Sequence, residues 1–186
     1  VEADGLGAGR AGGKVDGLRI DHPDGLYDPL QYFQRLQDRA AMRSLPVEGE
    51  KAIYIVAEKI LASHESLRPD WAIHGTTGYD FCNLVNGLFV NPQAKAALER
   101  TYRSFAHSRF DFEELAYYSK HQIMKHAMAS ELNVMAGQLS RICELRPYTR
   151  DFTTNNLRHA LAEVTACLPV YRTYVRDNQV TALDRR

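Results

Sequence analysis

Two short apolar runs, each ending in a charged residue and separated by a helix-like segment, constrain the fold of this chain most. The first run, VDGLRID, covers residues 15–21, and the second, AIYIVAEKIL, covers residues 52–61. The segment between them begins with Asp28-Pro29, a typical helix start, and continues with apolar residues at helical spacing. Because a strand, helix, strand order favours parallel pairing, the sequence predicts a parallel α/β sheet.

The second half of the chain has a different pattern. From Pro92 to Leu145 the apolar residues recur with long helical periodicity, which predicts a helical block. The run DFTT at residues 151–154 then offers caps for another helix. After it, LPVYRTYV at residues 168–175 is β-rich and predicts a third strand.

Composition excludes several classes of function. Lys and Arg total 23, and Asp and Glu also total 23, so no net charge favours nucleic acid or an anionic membrane as a partner. The three cysteines, Cys82, Cys143 and Cys167, are odd in number and lack CxxC spacing, which argues against a disulfide framework and a zinc site. The balanced charge favours a neutral or small polar substrate, and the cysteine pattern fits a reducing cytoplasm. With no run of roughly 20 apolar residues and no secretory core, we expect a soluble protein that is not exported.

The sequence also predicts neither a cofactor nor a metal. Gly5, Gly7 and Gly9 imitate a dinucleotide-binding loop, but no strand precedes them. His121 and His126 are five residues apart on a predicted helix, which is a poor spacing for a metal pair.

Carboxylates end both predicted strands, at Asp21 and Glu58. In α/β barrels the catalytic groups lie at the carboxyl ends of strands, and two carboxylates held together there can act as nucleophile and general acid/base. Arg19 is two residues before Asp21 and is therefore expected on the same face of the strand. Its charge would favour the ionised carboxylate that a nucleophile requires. A strand-end carboxylate is nevertheless more often a solvated residue or a helix cap.

The run GLRIDHPDGL, residues 17–26, resembles the fourth-strand motif of the α-amylase superfamily. The resemblance implies that Asp21 is the nucleophile, Arg19 its charge partner and His22 a sugar contact. Amylomaltase-type 4-α-glucanotransferases share a very similar run, so this motif alone leaves the subfamily open.

Further blocks resemble the maltooligosyl trehalose synthases, a family within that superfamily. AEKIL at residues 57–61 is similar to their fifth-strand segment, which implies that Glu58 is the general acid/base. GTTGYDFCNLVNGLFV at residues 75–90 is also similar, and so are the later runs SKHQIM, ASELN, RDFT and LPVYRTYV. The similarity is collinear from about Val15 to Val175.

This resemblance implies a partial (β/α)8 TIM barrel, about strands four to six, with an inserted α-helical block. Four segments are expected: a flexible glycine-rich stretch over residues 1–14, a barrel portion over residues 15–91, the inserted helices over residues 92–146, and a return to the barrel over residues 147–186. The third catalytic carboxylate of the superfamily, an Asp on the seventh strand, has no matching segment here. We therefore expect the isolated chain to be inactive.

The implied substrate is a maltooligosaccharide, and the implied reaction converts its reducing-end α-1,4 linkage to an α,α-1,1 linkage. The substrate-binding residues implied by the resemblance are Arg19, His22, Asp24, Lys59 and Tyr79. A 4-α-glucanotransferase, an α-glucan hydrolase of the same superfamily and an inactive glycan-binding fragment stay open as alternatives. The sequence predicts neither a nucleic-acid nor a membrane partner, and it sets no oligomeric state.

Other side chains have two interpretations. Trp71, Phe81 and Tyr174 can stack on sugar faces, but aromatic residues near apolar runs are more often part of the core. Arg172 can meet a carboxylate or a hydroxyl, or it can form a structural ion pair.

Overall fold

The computed structural model divides the chain into two units. The first unit comprises Val1–Asn91 and Arg172–Arg186, and the second comprises Pro92–Tyr171. The residues that the structure describes are 15–42, 50–107, 111–176, 180, 182, 184 and 185. The predicted glycine-rich segment over residues 1–14 lies outside them.

Within the described residues of the first unit, three short parallel strands form a sheet in the order β1-β2-β3. β1 spans Gly17–Ile20, β2 spans Tyr54–Ala57 and β3 spans Gly75–Thr76. Helix α1, Pro29–Ala41, connects β1 to β2, and helix α2, Tyr79–Gly87, follows β3. The parallel β1 and β2 predicted from the two apolar runs are confirmed, whereas β3 was not predicted.

Helix α1 starts where the sequence predicts. The Asp28 carboxylate accepts a hydrogen bond from the backbone N–H of Gln31 at 3.0 Å, and Pro29 takes the first helical position. The apolar face of α1 then buries Phe33 and Leu36 against the sheet. The local cap therefore fixes the register in which the helix meets the core.

The Asp28 cap gives the first unit a pH-dependent contribution to stability. The hydrogen bond from the Gln31 N–H, with the ion pair to Arg176, lowers the pKa of Asp28 below its ordinary value of 3.8. A carboxyl with a depressed pKa stabilises the folded state above the unfolded-state pKa, and that contribution is lost as pH falls through the folded-state pKa.

We expect Asp28→Ala to lower the free energy of unfolding by about 1 kcal/mol near neutral pH, with the difference shrinking below about pH 4. Urea denaturation at a series of pH values measures this. Asp28→Asn is the matched control, because its side-chain oxygen still accepts from Gln31 but does not titrate. A difference between wild type and Asp28→Ala that does not change with pH would contradict the prediction.

The core of the first unit lies between α1, the strands and the loop before β3. Its buried members are Phe33, Leu36, Ile53, Ile55, Ala57, Trp71 and Ile73. Gln37, also buried, satisfies its amide within this core: its Nε2 donates to the carbonyls of Ile53 and Ala72, and its Oε1 accepts from the Ile53 N–H. Gln37 thus joins α1 to the segments that precede β2 and β3. Because no polar atom of its amide is left unpaired, hydrogen bonds compensate for the desolvation of this side chain.

Ile55 in β2 is fully buried, so a substitution there tests the packing of this core. We expect Ile55→Val to lower the free energy of unfolding by about 0.5–1.5 kcal/mol, because it removes one methylene and leaves a small cavity. Trp71 is the single tryptophan of the chain and is buried in the same cluster, so its fluorescence during urea denaturation reports this unit. Ile60→Val, at a residue that is 57% exposed, is the control and should change stability by less than about 0.5 kcal/mol. Equal effects of the two substitutions would show that the prediction is wrong.

Within its described residues, the second unit contains four α-helices. They are α3, α4, α5 and α6, which span Lys95–Ala106, Phe112–His126, Ala129–Glu144 and Thr154–Cys167. Met124 of α4 packs with Ala162 and Ala166 of α6, and Thr153 caps α6 through the N–H of Asn156. The predicted helical periodicity after Pro92 and the predicted cap in the DFTT run are confirmed. Across the described residues, no helix has the length and apolar character needed to cross a bilayer.

The predicted third strand at residues 168–175 is wrong. Those residues have no helix or strand assignment, and only Arg176 forms an isolated bridge. Pro169 lacks the N–H that a ladder requires, and Arg172 and Tyr174 make their long-range hydrogen bonds through their side chains and not through a backbone ladder. Within the described residues the structure is a three-stranded parallel sheet with six helices, so the partial barrel stays a prediction.

Candidate active site

The carboxyl ends of β1 and β2 bring Asp21 and Glu58 to the same end of the sheet. Parallel pairing sets Ile20 opposite Ala57, the last residues of the two strands. Asp21 and Glu58 are therefore the first residues beyond the paired ends, on backbones that run about 4.8 Å apart. The Glu58 N–H donates to the Ile20 carbonyl at 2.8 Å, which continues the ladder by one step. Both carboxylates thus emerge at one edge of the sheet.

His22 joins the two strand ends through its backbone. Its N–H donates to Oε2 of Glu58 at 3.1 Å. The residue has φ 42° and ψ 53°, a left-handed conformation in which histidine is enriched among non-glycine residues, and the following Pro23 disfavours the right-handed alternative. A Cβ on Gly25 would lie 2.7 Å from Cδ2 of His22, so glycine leaves room for the imidazole. The run HPDG therefore sets the direction of this N–H.

Arg19 forms an ion pair with Asp21. The distance from Nη1 to Oδ1 is 2.5 Å, as the alternation of side chains along a strand predicts. Because the two side chains are 53% and 71% exposed, this pair contributes little to stability. The predicted pairing is confirmed.

Lys59 is the centre of a buried charge network. Its ammonium lies 3.1 Å from Oδ2 of Asp24 and 3.0 Å from Oε1 of Glu65, and the three side chains are 3%, 10% and 14% exposed. The Tyr174 hydroxyl donates to the other oxygen of Asp24. Protein groups thus occupy both oxygens of Asp24 and the ammonium of Lys59. These contacts hold the turn after β1, and sugar contacts by Asp24 and Lys59 stay predictions.

Tyr174 closes this network from the far end of the chain. Burial, together with the hydrogen bond to Asp24, raises the pKa of Tyr174 well above its ordinary value, so its hydroxyl stays a donor. Its ring meets that of Trp71 edge to face at 5.2 Å. These contacts place Trp71 and Tyr174 in or against the core, which decides between the two interpretations of these aromatics.

Tyr79 lies beyond the third strand, at the same edge of the sheet. It is the first residue of α2, which starts after a left-handed Gly78 with φ 96°. The Thr76 hydroxyl donates to the Asp80 carboxylate at 3.0 Å and so fixes the helix start. The Tyr79 side chain is 44% exposed and has room to contact a ligand. Sugar contacts by Tyr79 and His22 stay predictions.

The clamp that Arg172 forms is the feature the sequence did not reveal. The predicted partner was a carboxylate or hydroxyl, but the guanidinium instead binds main-chain carbonyls of the turn after β1. Glu65 was missed as well. The usable signal was the spacing of Arg172 and Tyr174, because side chains two residues apart on an extended segment share a face.

Two histidines of the second unit, His121 and His126, each lie close to a polar side chain. His126 contacts Gln122 one helical turn away at 3.1 Å, and His121 lies 3.5 Å from Glu163. In the part of the chain that the structure describes, no group of three or more His, Cys, Asp or Glu side chains is arranged to hold a metal ion.

Comparison with known proteins gives consistent matches in sequence. The chain is 38% identical over 138 residues to a putative maltooligosyl trehalose synthase of Mycobacterium tuberculosis, in strains CDC 1551 / Oshkosh and ATCC 25618 / H37Rv alike. The match covers 74% of this chain and 15% of that protein. No family model matches the chain.

Solved structures give the same relationship. The maltooligosyltrehalose synthase of Arthrobacter ramosus superimposes with a TM-score of 0.74 at 32% identity, and a structure described as DSM5389 glycosyltrehalose synthase superimposes with a TM-score of 0.67 at 32% identity. Each comparison covers 92% of this chain and 20% of the other chain. The chain therefore spans about a fifth or less of the relatives that it matches.

Proposed function

This chain is homologous to part of the maltooligosyl trehalose synthases, and from that premise we propose that it supplies two of the catalytic carboxylates of such an enzyme. Asp21 is the nucleophile and Glu58 is the general acid/base. The observation that carries the proposal is the pairing of Ile20 with Ala57, which sets both carboxylates at one sheet edge. Retaining glycosidases hold such a pair about 5–5.5 Å apart.

The first half of the proposed reaction releases the reducing-end glucose. The Asp21 carboxylate attacks the anomeric carbon of the preceding glucosyl unit, while Glu58 gives its proton to the α-1,4 glycosidic oxygen. The C–O bond breaks, and the products are a glycosyl ester on Asp21 and a free glucose held in the site. Arg19 orients the nucleophile through its ion pair.

The second half returns that glucose through a different oxygen. Glu58, now ionised, takes the proton from the anomeric hydroxyl of the glucose, whose oxygen attacks the glycosyl ester and expels Asp21. Two inversions give net retention and an α,α-1,1 linkage. No water is consumed, so the released glucose must rotate in the site and attack the glycosyl ester before water enters.

The stoichiometry of maltopentaose conversion tests this proposal. A full-length synthase that carries this segment should remove reducing ends over time while releasing little free glucose, because each turnover ties up one anomeric hydroxyl. Constant reducing ends would indicate a 4-α-glucanotransferase, and rising reducing ends would indicate a hydrolase. Binding of maltopentaose without turnover would indicate a glycan-binding protein.

We further propose that the isolated 186 residues do not turn over maltooligosaccharide, since the superfamily also uses an Asp on its seventh strand. The test is to incubate the chain alone with maltopentaose, beside a Glu58→Gln control. Product above the level of that control would contradict this part of the proposal.

A further inference from the structure

One guanidinium fastens the turn that follows β1. Nη1 of Arg172 donates to the carbonyl oxygens of Asp24 at 2.8 Å and Leu26 at 2.5 Å, and Nη2 donates to the Tyr27 carbonyl at 3.3 Å. These contacts join residues that are 145 to 148 positions apart in the chain. A single side chain therefore restrains three carbonyls within four consecutive residues.

The restrained turn begins at His22, which contacts the proposed catalytic acid, Glu58. Its own backbone bonds run from the Gly25 N–H to the His22 carbonyl at 3.1 Å and from the Leu26 N–H to the Pro23 carbonyl at 3.0 Å. The left-handed His22 at the start of this turn is the residue whose N–H binds Glu58. A left-handed non-glycine residue is strained and persists only where its surroundings hold it in place.

We propose that Arg172 is a positioning residue for Glu58. By binding the carbonyls of the turn, it keeps His22 in the conformation whose N–H contacts the Glu58 carboxylate, and so it holds the acid where it can protonate the leaving oxygen. This inference rests on the proposed function of Glu58. Arg172 itself touches neither the carboxylate nor, in this proposal, the substrate.

Arginine suits this role better than lysine. Its planar guanidinium presents five N–H donors in a fixed geometry, whereas an ammonium is a compact charge on a flexible stem. The guanidinium also lies over the Tyr174 ring, 4.9 Å from the ring centroid. The Tyr174 hydroxyl in turn donates a hydrogen bond to the Asp24 carboxylate. The Tyr174 ring thus supports the guanidinium of Arg172 while its N–H groups bind the carbonyls of the turn.

The test compares two substrates with the same donor sugar in the full-length synthase. Maltopentaose requires protonation of its leaving oxygen, whereas α-maltotetraosyl fluoride loses fluoride without an acid. Because kcat/KM compares the free enzyme and substrate with the rate-limiting transition state, it includes protonation of the leaving oxygen for maltopentaose but not for the fluoride. We expect Arg172→Gln to lower kcat/KM for maltopentaose by about 10- to 100-fold, as small misplacements of catalytic groups do, and for the fluoride by less than about 3-fold. Arg172→Lys should fall between Arg172→Gln and wild type.

Equal losses on both substrates, or no loss on either, would overturn the inference, because a merely structural residue does not distinguish the two leaving groups. Arg35→Gln, at an exposed arginine of α1, is the matched control and should leave both values unchanged. Failure of the proposed function looks different: the wild-type enzyme would then release no fluoride, or Asp21→Asn would release it at the wild-type rate.

Discussion

Asp21→Asn in a full-length synthase carrying this segment should lower kcat for maltopentaose by at least about 10⁴-fold, the scale on which loss of a nucleophile acts. The amide oxygen keeps the shape of the side chain but cannot form the glycosyl ester. Glu58→Gln should lower kcat by about 10²- to 10⁴-fold, which is the usual contribution of a general acid/base. Steady-state rates of loss of reducing ends measure both effects.

A substrate with an activated leaving group separates the two roles. Fluoride departs without a proton, so Glu58→Gln should form the glycosyl ester from α-maltotetraosyl fluoride at a rate within about 10-fold of wild type, because the acid contribution is no longer needed. Asp21→Asn should show no such rescue, because the nucleophile is required for any leaving group. Initial fluoride release in a rapid-mixing experiment gives this rate.

Matched controls are available at the opposite ends of the same strands. Asp16 precedes β1 and Glu50 precedes β2, and both side chains are exposed. Asp16→Asn and Glu50→Gln make the same chemical changes away from the carboxyl edge and should leave kcat within about 2-fold of wild type. If Glu58→Gln kept its full loss on the fluoride, the acid assignment would be wrong, whereas an active Asp21→Asn would remove the nucleophile assignment.

The candidate site could be located from the sequence because its determinants are local. An apolar run ending in a carboxylate defines a strand end, and alternation places Arg19 with Asp21. The same local logic found the Asp28 cap and the start of α1. The adjacency of Asp21 and Glu58 needed one further step, the parallel pairing that a strand, helix, strand order favours.

What the sequence did not reveal depends on contacts between distant residues. β3 is only two residues long and has no apolar run to mark it. The run at residues 168–175 has strand-like composition, but its side chains Arg172 and Tyr174 bind a turn about 150 residues earlier. Propensity describes how a segment fits a half-buried surface, and it does not specify which surface. Lys59 likewise meets partners that no local pattern marks, Asp24 in the turn after β1 and Glu65 in the loop after β2, and its predicted sugar contact stays a prediction.

Lys59→Met should lower the free energy of unfolding by about 3–5 kcal/mol, the usual cost of removing one partner from a buried charge network. The substitution keeps an unbranched side chain, one atom shorter, but leaves the carboxylates of Asp24 and Glu65, which are 10% and 14% exposed, without their shared cation. Urea denaturation followed by Trp71 fluorescence measures the change in the same unit.

The control is Arg19→Met, which removes an ion pair of shorter contact distance, 2.5 Å against 3.0 and 3.1 Å. Because the pair of Arg19 and Asp21 is mostly exposed, its loss should cost no more than about 1 kcal/mol. Burial, and not contact distance, therefore decides which substitution is severe.

Adding Asp24→Asn and Glu65→Gln to Lys59→Met should recover part of the lost stability, since most of the penalty comes from unpaired buried charge and not from the lost contact. A triple variant less stable than Lys59→Met would show instead that the hydrogen bonds of Asp24 and Glu65, and not their charges, hold the turn after β1.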